Sequence, residues 1–219
     1  MVEDMAGRPR SFDRDAALAA AVEQFWRTGY DETSIATLTK AMGVTPPSLY
    51  AAFGDKERLF EEASTLYFRV TCEAVDQAAA LPTAHEAIAR MFDDTARAHT
   101  DASTPAGCLM LTEPRLTAQR EVLHERLKAR LDRGVRDGDL PATTRTEQLA
   151  SFLVAVLRGM SGCARDGGTT EDLLAIAETA VGALPRAAKG RARAGPDNLT
   201  REGRVRVPGD DGTTAGQRT

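Results

Sequence analysis

Apolar residues recur along most of this chain at the three- and four-residue spacing of helices that bury one face. Ala17, Leu18, Ala21, Val22, Phe25 and Trp26 form one stripe, capped by Asp13 and stopped after Thr28 by Gly29, which tolerates a left-handed turn. Thr33 or Ser34 caps a short second helix carrying Ile35, Leu38 and Met42, and Gly43 ends it. Thr45 caps a third, with Pro46 in the first turn, where a missing N–H leaves no bond unmade, and Gly54 as its stop. Asp55 then opens a long helix with Leu59, Phe60, Ala63, Tyr67, Val70, Ala74 and Val75 at apolar positions, ending near Pro82.

The same grammar continues. Thr83 begins a helix bearing Ala87, Ile88, Met91, Phe92, Thr95 and Ala98. A loop with a flexible Pro105-Ala106-Gly107 step leads into the apolar segment Cys108 to Leu111, and Pro114 interrupts it. Leu116 to Val135 read as an amphipathic helix with Val122, Leu123, Leu127 and Leu131 inside, broken at Gly138 and Pro141. Two last helices cover about 145–165 and 170–184, the second holding Leu173, Leu174, Ala177, Val181 and Leu184. Sustained period-two alternation and hairpin turns between apolar runs are absent, so the pattern predicts an all-α protein of about nine helices.

Composition narrows the class. The 219 residues suit one domain with a small appendage, and a 42% apolar content supports a real core. No run approaches the roughly 20 apolar residues of a membrane span, and the first residues lack a basic-then-apolar leader, so a cytoplasmic protein is expected. Cys72, Cys108 and Cys163 are too few and too scattered for a disulfide framework, and His85, His99 and His124 have no zinc-ligand spacing. Buried structural thiols and ordinary surface histidines are expected, with a thiol sensor at Cys108, beside the flexible step, as the lesser alternative. There is no phosphate loop, nucleophile elbow or dinucleotide fingerprint, so neither an enzyme nor a bound cofactor or metal is expected.

The net charge of −4 is unevenly spread. Residues 185–219 carry eight basic against four acidic groups with six Gly and three Pro, the composition of a disordered basic tail. Residues 1–56 carry six basic and eight acidic groups, and 57–184 fourteen and twenty. Any contact with nucleic acid must therefore come from local placement rather than from bulk charge.

That placement exists. The second and third helices flank a tight Gly43-Val44-Thr45 turn, the helix-turn-helix arrangement whose second helix enters a major groove. Thr45, Pro46, Pro47 and Ser48 are small enough for close approach, and unpaired N–H groups at a helix start suit phosphate. Lys56 lies in the first turn of the next helix, where a cation is disfavoured by roughly 0.3–1 kcal/mol unless it has a partner such as a phosphate. Arg8 and Arg10, flanking Pro9, form a short basic arm over residues 1–12 that is either suited to a narrow minor groove or a frayed, solvated terminus.

Residues 7–66 resemble the DNA-binding domain of the tetracycline-repressor (TetR) family, through Gly7-Arg8-Pro9-Arg10-Ser11-Phe12-Asp13, Gly29-Tyr30-Asp31-Glu32-Thr33-Ser34-Ile35, Gly43-Val44, Ser48-Leu49-Tyr50, Phe53-Gly54-Asp55-Lys56-Glu57 and Leu59-Phe60. The resemblance implies an N-terminal helix-turn-helix domain over 13–55 and a C-terminal helical ligand-binding and dimerisation domain over 56–184. It implies a homodimeric repressor that binds a pseudo-palindromic double-stranded DNA operator and is released by a small, mostly apolar effector. An activator of the same fold, or a helical protein-interaction module, are the alternatives. Carried over position by position, Thr33 and Ser34 meet phosphate, Thr45, Pro46, Pro47, Ser48 and Ala51 face the bases, and Tyr50 and Lys56 contact the backbone. Many members have His where this chain has Ala52. The reading face also lacks Arg, Asn and Gln, so methyl contacts with thymine and shape readout gain weight.

For the C-terminal half, the family-implied cavity is expected to draw on Tyr67, Met91, Phe92, Thr95, His99, Cys108, Met110, Phe152 and Met160. Gly159, Ser161, Gly162 and Ala164 cluster small side chains on a helix where glycine costs about 1 kcal/mol, which points to a close helix neighbour. The expected dimer face is Gly159, Ser161, Gly162, Leu173, Leu174, Ala177 and Val181, in a four-helix bundle of two helices per chain.

Overall fold

The computed structural model describes residues 12–187; the arm with Arg8 and Arg10 and nearly all of the basic tail lie outside them. Nine α-helices, one 3-10 turn and no strand occur among the described residues. No helix there is long and apolar enough to cross a membrane.

Helix α1 (Arg14–Glu32) starts under the Asp13 carboxylate, which accepts from the backbone N–H of Asp15 and Ala16, and it kinks at Gly29, where φ is +77°. Ser34, rather than Thr33, caps α2 (Ile35–Met42), and Gly43 closes it in the left-handed conformation. Thr45 caps α3 (Pro46–Phe53). Asp55 caps α4 (Lys56–Ala79), 24 residues and so about 36 Å long. Phe25, Leu38, Leu49 and Leu59 are fully buried and join these four helices. Phe60 supports them, meeting Phe25 edge-on at 5.1 Å and Tyr30 at 5.0 Å.

A capping box at Thr83 and Glu86 starts α5 (Ala84–His99), which packs against α4, α7, α8 and α9. The short α6 (Leu109–Thr112) and the 3-10 turn Pro114–Leu116 lead to α7 (Thr117–Asp137). Helices α8 (Thr146–Arg165) and α9 (Thr170–Gly182) complete the body. Its core holds Ile88, Phe92, Leu109, Met110, Leu127, Leu131, Leu140, Leu153, Met160 and Leu173. Val122, expected inside, lies on the outer face of α7 at 40% exposure, while Leu123, Leu127 and Leu131 are buried. The far end of α4 is held by α7: Arg130 donates to the Leu81 carbonyl and Arg133 to those of Ala79 and Leu81.

Candidate nucleic-acid interface and ligand pocket

The third helix is laid down by its apolar pair. Leu49 and Phe53 point into the core, which turns Thr45, Pro46, Pro47, Tyr50 and Ala51 to the surface and leaves Ser48 half-buried. Tyr50 keeps 49% of its surface exposed. Thr45 Oγ1 accepts from the Ser48 N–H at 3.4 Å, and the two hydroxyls lie 3.0 Å apart. Arg14 braces this helix: its guanidinium stands 4.4 Å from the Phe53 ring centre and donates to both oxygens of Glu62 at 2.9 and 2.7 Å.

Two expected phosphate contacts look different in place. Thr33 is only 1% exposed; its hydroxyl donates to the Gly29 carbonyl at 2.5 Å and pairs with Thr28 Oγ1 at 2.8 Å. It secures the kink instead of facing outward. Ser34 is exposed and caps α2 by accepting from the Thr37 N–H at 3.0 Å. Lys56 is half-buried with Nζ 4.2 Å above the Tyr30 ring, so the partner it needs at a helix start is supplied within the chain.

A second feature lies between α1, α4, α5 and the loop before α6: a cavity of about 460 Å³. Five expected residues line it, Tyr67, Met91, Thr95, His99 and Cys108. Phe92, Met110 and Met160 do not; they are sealed in the core. Phe152 is 43% exposed on the outer side of α8. The wall that the spacing did not reveal is α1, through Ala19, Val22, Glu23 and Trp26, joined by Leu66, Val70, Thr71, Ala74 and Val75 of α4. Ala98, Asp94 and Thr104 complete the lining.

The polar groups of this wall are mostly satisfied. Tyr67 donates its hydroxyl to Cys108 Sγ at 3.2 Å, and its ring meets Trp26 edge-on at 5.0 Å. Trp26 donates its indole N–H to the Gly107 carbonyl at 3.2 Å. Burial raises the Cys108 thiol above its ordinary range, which outweighs the lowering by Tyr67, so Cys108 is the buried, protonated thiol of the structural reading and not a sensor. The Pro105-Ala106-Gly107 step is not loose either. Gly107 donates to the His99 carbonyl at 2.9 Å with φ at +75°, and Cys108 N–H donates to Ser161 Oγ at 2.8 Å. His99 is 6% exposed and held down to about 4, first by burial and then by the charge of Arg165; its Nδ1 has no hydrogen-bond partner.

The surface of α8 and α9 also sorts the expected dimer residues. A Cβ at Gly159 or Gly162 would meet nothing within 4 Å, so their smallness serves no contact inside the chain. Ser161, Leu173 and Ala177 point inward and are buried, whereas Leu174 and Val181 are half-buried. The open face instead carries Phe152, Val156, Ala175, Ile176 and Thr179 around a shallow groove. Helical phase carried this distinction: 159 and 162 share a face, and 161 lies well around the axis from 159.

Pocket and head share structure. Glu113, buried in the segment after α6, accepts the Tyr30 N–H at 2.9 Å with one oxygen and the Arg115 N–H at 3.1 Å with the other. Arg115 stacks 3.8 Å from the Tyr30 ring centre, and Arg165 donates to the Trp26 carbonyl at 2.8 Å. No group of three or more His, Cys, Asp or Glu side chains is placed to hold a metal among the described residues.

Comparison with known proteins agrees with this arrangement. The family model "Bacterial regulatory proteins, tetR family" matches residues 17–63. The HTH-type transcriptional repressor ComR of Escherichia coli K12 is 34% identical over 209 residues, covering 86% of this chain and 96% of ComR. The repressor BdcR from the same organism is 31% identical over 192 residues, covering 81% and 92%. Among solved structures, a cysteine mutant of the TetR family transcriptional regulator CifR, complexed with 26-bp double-strand operator DNA, is 40% identical with a TM-score of 0.76. That match covers 82% of this chain and all of the CifR chain.

Proposed function

The chain belongs to the tetR family of bacterial regulatory proteins, and from that premise we propose that it is a homodimeric transcriptional repressor whose grip on its operator is released by a small apolar molecule. The observation that carries the reading is the presentation of α3: Leu49 and Phe53 anchor it while Thr45, Pro46, Pro47, Tyr50 and Ala51 are left outward. Ser34, exposed at the start of α2, and Lys56 flank that face. Tyr50 and Lys56 contact phosphates, Lys56 by leaving the Tyr30 ring, and the small residues of α3 approach base edges. Arg8 and Arg10 add a minor-groove contact.

Release follows from the shared wall. Trp26, Tyr67 and Cys108 line the cavity, and the hydrogen bond from Trp26 to Gly107 ties it to the segment that carries Glu113 and so to the Tyr30 kink. A ligand that fits the cavity better when α4 is tilted draws the pair of heads off two half-sites spaced by one helical turn, about 34–36 Å. The face of Phe152, Val156, Gly159, Gly162 and Ile176 meets its two-fold copy. Binding of the purified protein to the DNA upstream of its own gene, titrated across salt, tests the reading. Tight competitor-resistant binding, weakened by Tyr50→Phe and by Lys56→Ala, is expected. No preference for any genomic fragment over random DNA would remove it.

A further inference from the structure

We infer that the cavity receives a neutral, mainly hydrocarbon or aromatic molecule carrying one hydroxyl or carbonyl group, and that this group pairs with the imidazole of His99. The inference rests on the reading of the cavity as the effector site and names the chemistry that the site selects.

His99 sits in the last turn of α5, 6% exposed, on the cavity wall, and its Nδ1 has no partner within the protein. A buried polar atom left unpaired is unfavourable, and a ligand group that pairs with it regains that loss. The other polar groups nearby are engaged: Tyr67 with Cys108, Trp26 with Gly107, and the Thr71 hydroxyl with the Tyr67 carbonyl. Thr95, one helical turn before His99, shares the wall and gives the same polar spot a second contact.

The remaining lining decides the charge of the ligand. Val22, Val70, Ala74 and Met91 are apolar, and Glu23 and Asp94 are the only carboxylates. Asp94 lies 2.7 Å from Arg90 and Glu23 lies 3.7 Å from Arg27, each one turn away on its own helix. No Lys or Arg lines the cavity, and His99 stays uncharged at neutral pH under burial and the field of Arg165. A carboxylate or phosphate would lose its hydration and meet two like charges, with only the field of Arg165, which stands outside the lining, to offset them. A neutral imidazole offers one donor and one acceptor, which suits a hydroxyl or a carbonyl.

Trp26 is the sole tryptophan and stands in the wall, so its emission on excitation at 295 nm reports occupancy. The full chain is titrated with four matched compounds: butylbenzene, 4-phenyl-1-butanol, 4-phenyl-2-butanone and 4-phenylbutyrate. In the wild type the alcohol and ketone are expected to bind at least as tightly as the hydrocarbon despite their greater hydration, with the carboxylate about tenfold or more weaker than the alcohol. His99→Phe is expected to weaken the alcohol and ketone about tenfold and leave butylbenzene unchanged. A saturable signal in which the carboxylate binds best, or in which His99→Phe shifts all compounds equally, overturns this inference and leaves the effector site standing. If His99→Phe fails to fold, the wild-type order of alcohol and carboxylate decides. No Trp26 response to any of the four removes both.

Discussion

Glu113 accepts the backbone N–H of Tyr30 at 2.9 Å across 83 positions of sequence, and so ties the segment after α6 to the kink of α1. The kink exists because Gly29 leaves the helical conformation, which frees the following N–H for an outside acceptor. A Cβ at Gly29 would lie 3.2 Å from the same carboxylate, so the close approach and the left-handed backbone both favour glycine.

Removing that acceptor tests the tie. Glu113→Ala leaves two backbone N–H groups without a charged acceptor in a buried place, and a loss of about 2–3 kcal/mol in urea unfolding is expected. Operator affinity, followed by fluorescence anisotropy, is expected to fall about tenfold or more. Glu113→Gln, which keeps one carbonyl oxygen, is expected to lie between. Unchanged stability and affinity in both variants would show that the tie carries nothing.

The buried imidazole gives a pH signature. His99 titrates at about 4 in the folded chain against about 6.5 when unfolded, so between these values the unfolded chain binds more protons. The group therefore has no effect on stability above pH 6.5 and lowers it as pH falls towards 4, by about 3 kcal/mol in total. Unfolding free energies of the wild type and His99→Phe, compared from pH 7.5 to pH 4.5, are expected to diverge in that direction. Parallel curves would count against it.

Readout by carbon contact is open to atomic test. Pro46, Pro47 and Ala51 offer methylene and methyl surface, and no Arg, Asn or Gln stands on the exposed face of α3. Replacing individual thymines of a half-site by deoxyuridine removes a methyl group and no hydrogen-bonding group. A three- to fourfold loss at each contacted thymine is expected, on the order of 0.8 kcal/mol per buried carbon. No loss at any thymine would assign selectivity to shape alone.

Self-association is expected to follow the outer face rather than the small-residue cluster as a whole. Phe152→Glu and Gly159→Glu place a charge on that face, and light scattering should show monomers. Operator affinity should fall by about 100-fold or more as the second half-site ceases to be held at high effective concentration. Ser161→Ala should stay dimeric and lose stability, because the Cys108 N–H loses its acceptor.

Helix limits were legible because they are written in short-range chemistry. Asp13, Ser34, Thr45, Asp55 and Thr83 each start a helix where a capping residue was expected. The helix-turn-helix was legible for the same reason. The cavity was half legible. Val22 and Trp26 fall on the same stripe as Phe25, yet only Phe25 is sealed; telling a wall from a core requires knowing where α5 crosses, which no local spacing contains. Thr33 and Ser34 are adjacent and chemically alike, and only the Gly29 kink decides that one turns inward. The resting partner of Lys56 was not legible, because the Tyr30 ring, 26 positions earlier, is brought beside it only by the packing of α1 on α4.

The carbon-rich face of α3 has a consequence for how the protein holds DNA. Attraction to random DNA comes chiefly from cations that displace counter-ions, and residues 13–55 carry few of them. The salt-sensitive hold on random sequence therefore rests on cations beside that face, Lys56 and the arm's Arg8 and Arg10, while the carbon contacts of α3 discriminate between sequences. Affinity and selectivity are thus carried by different residues, and salt weakens the first without erasing the second.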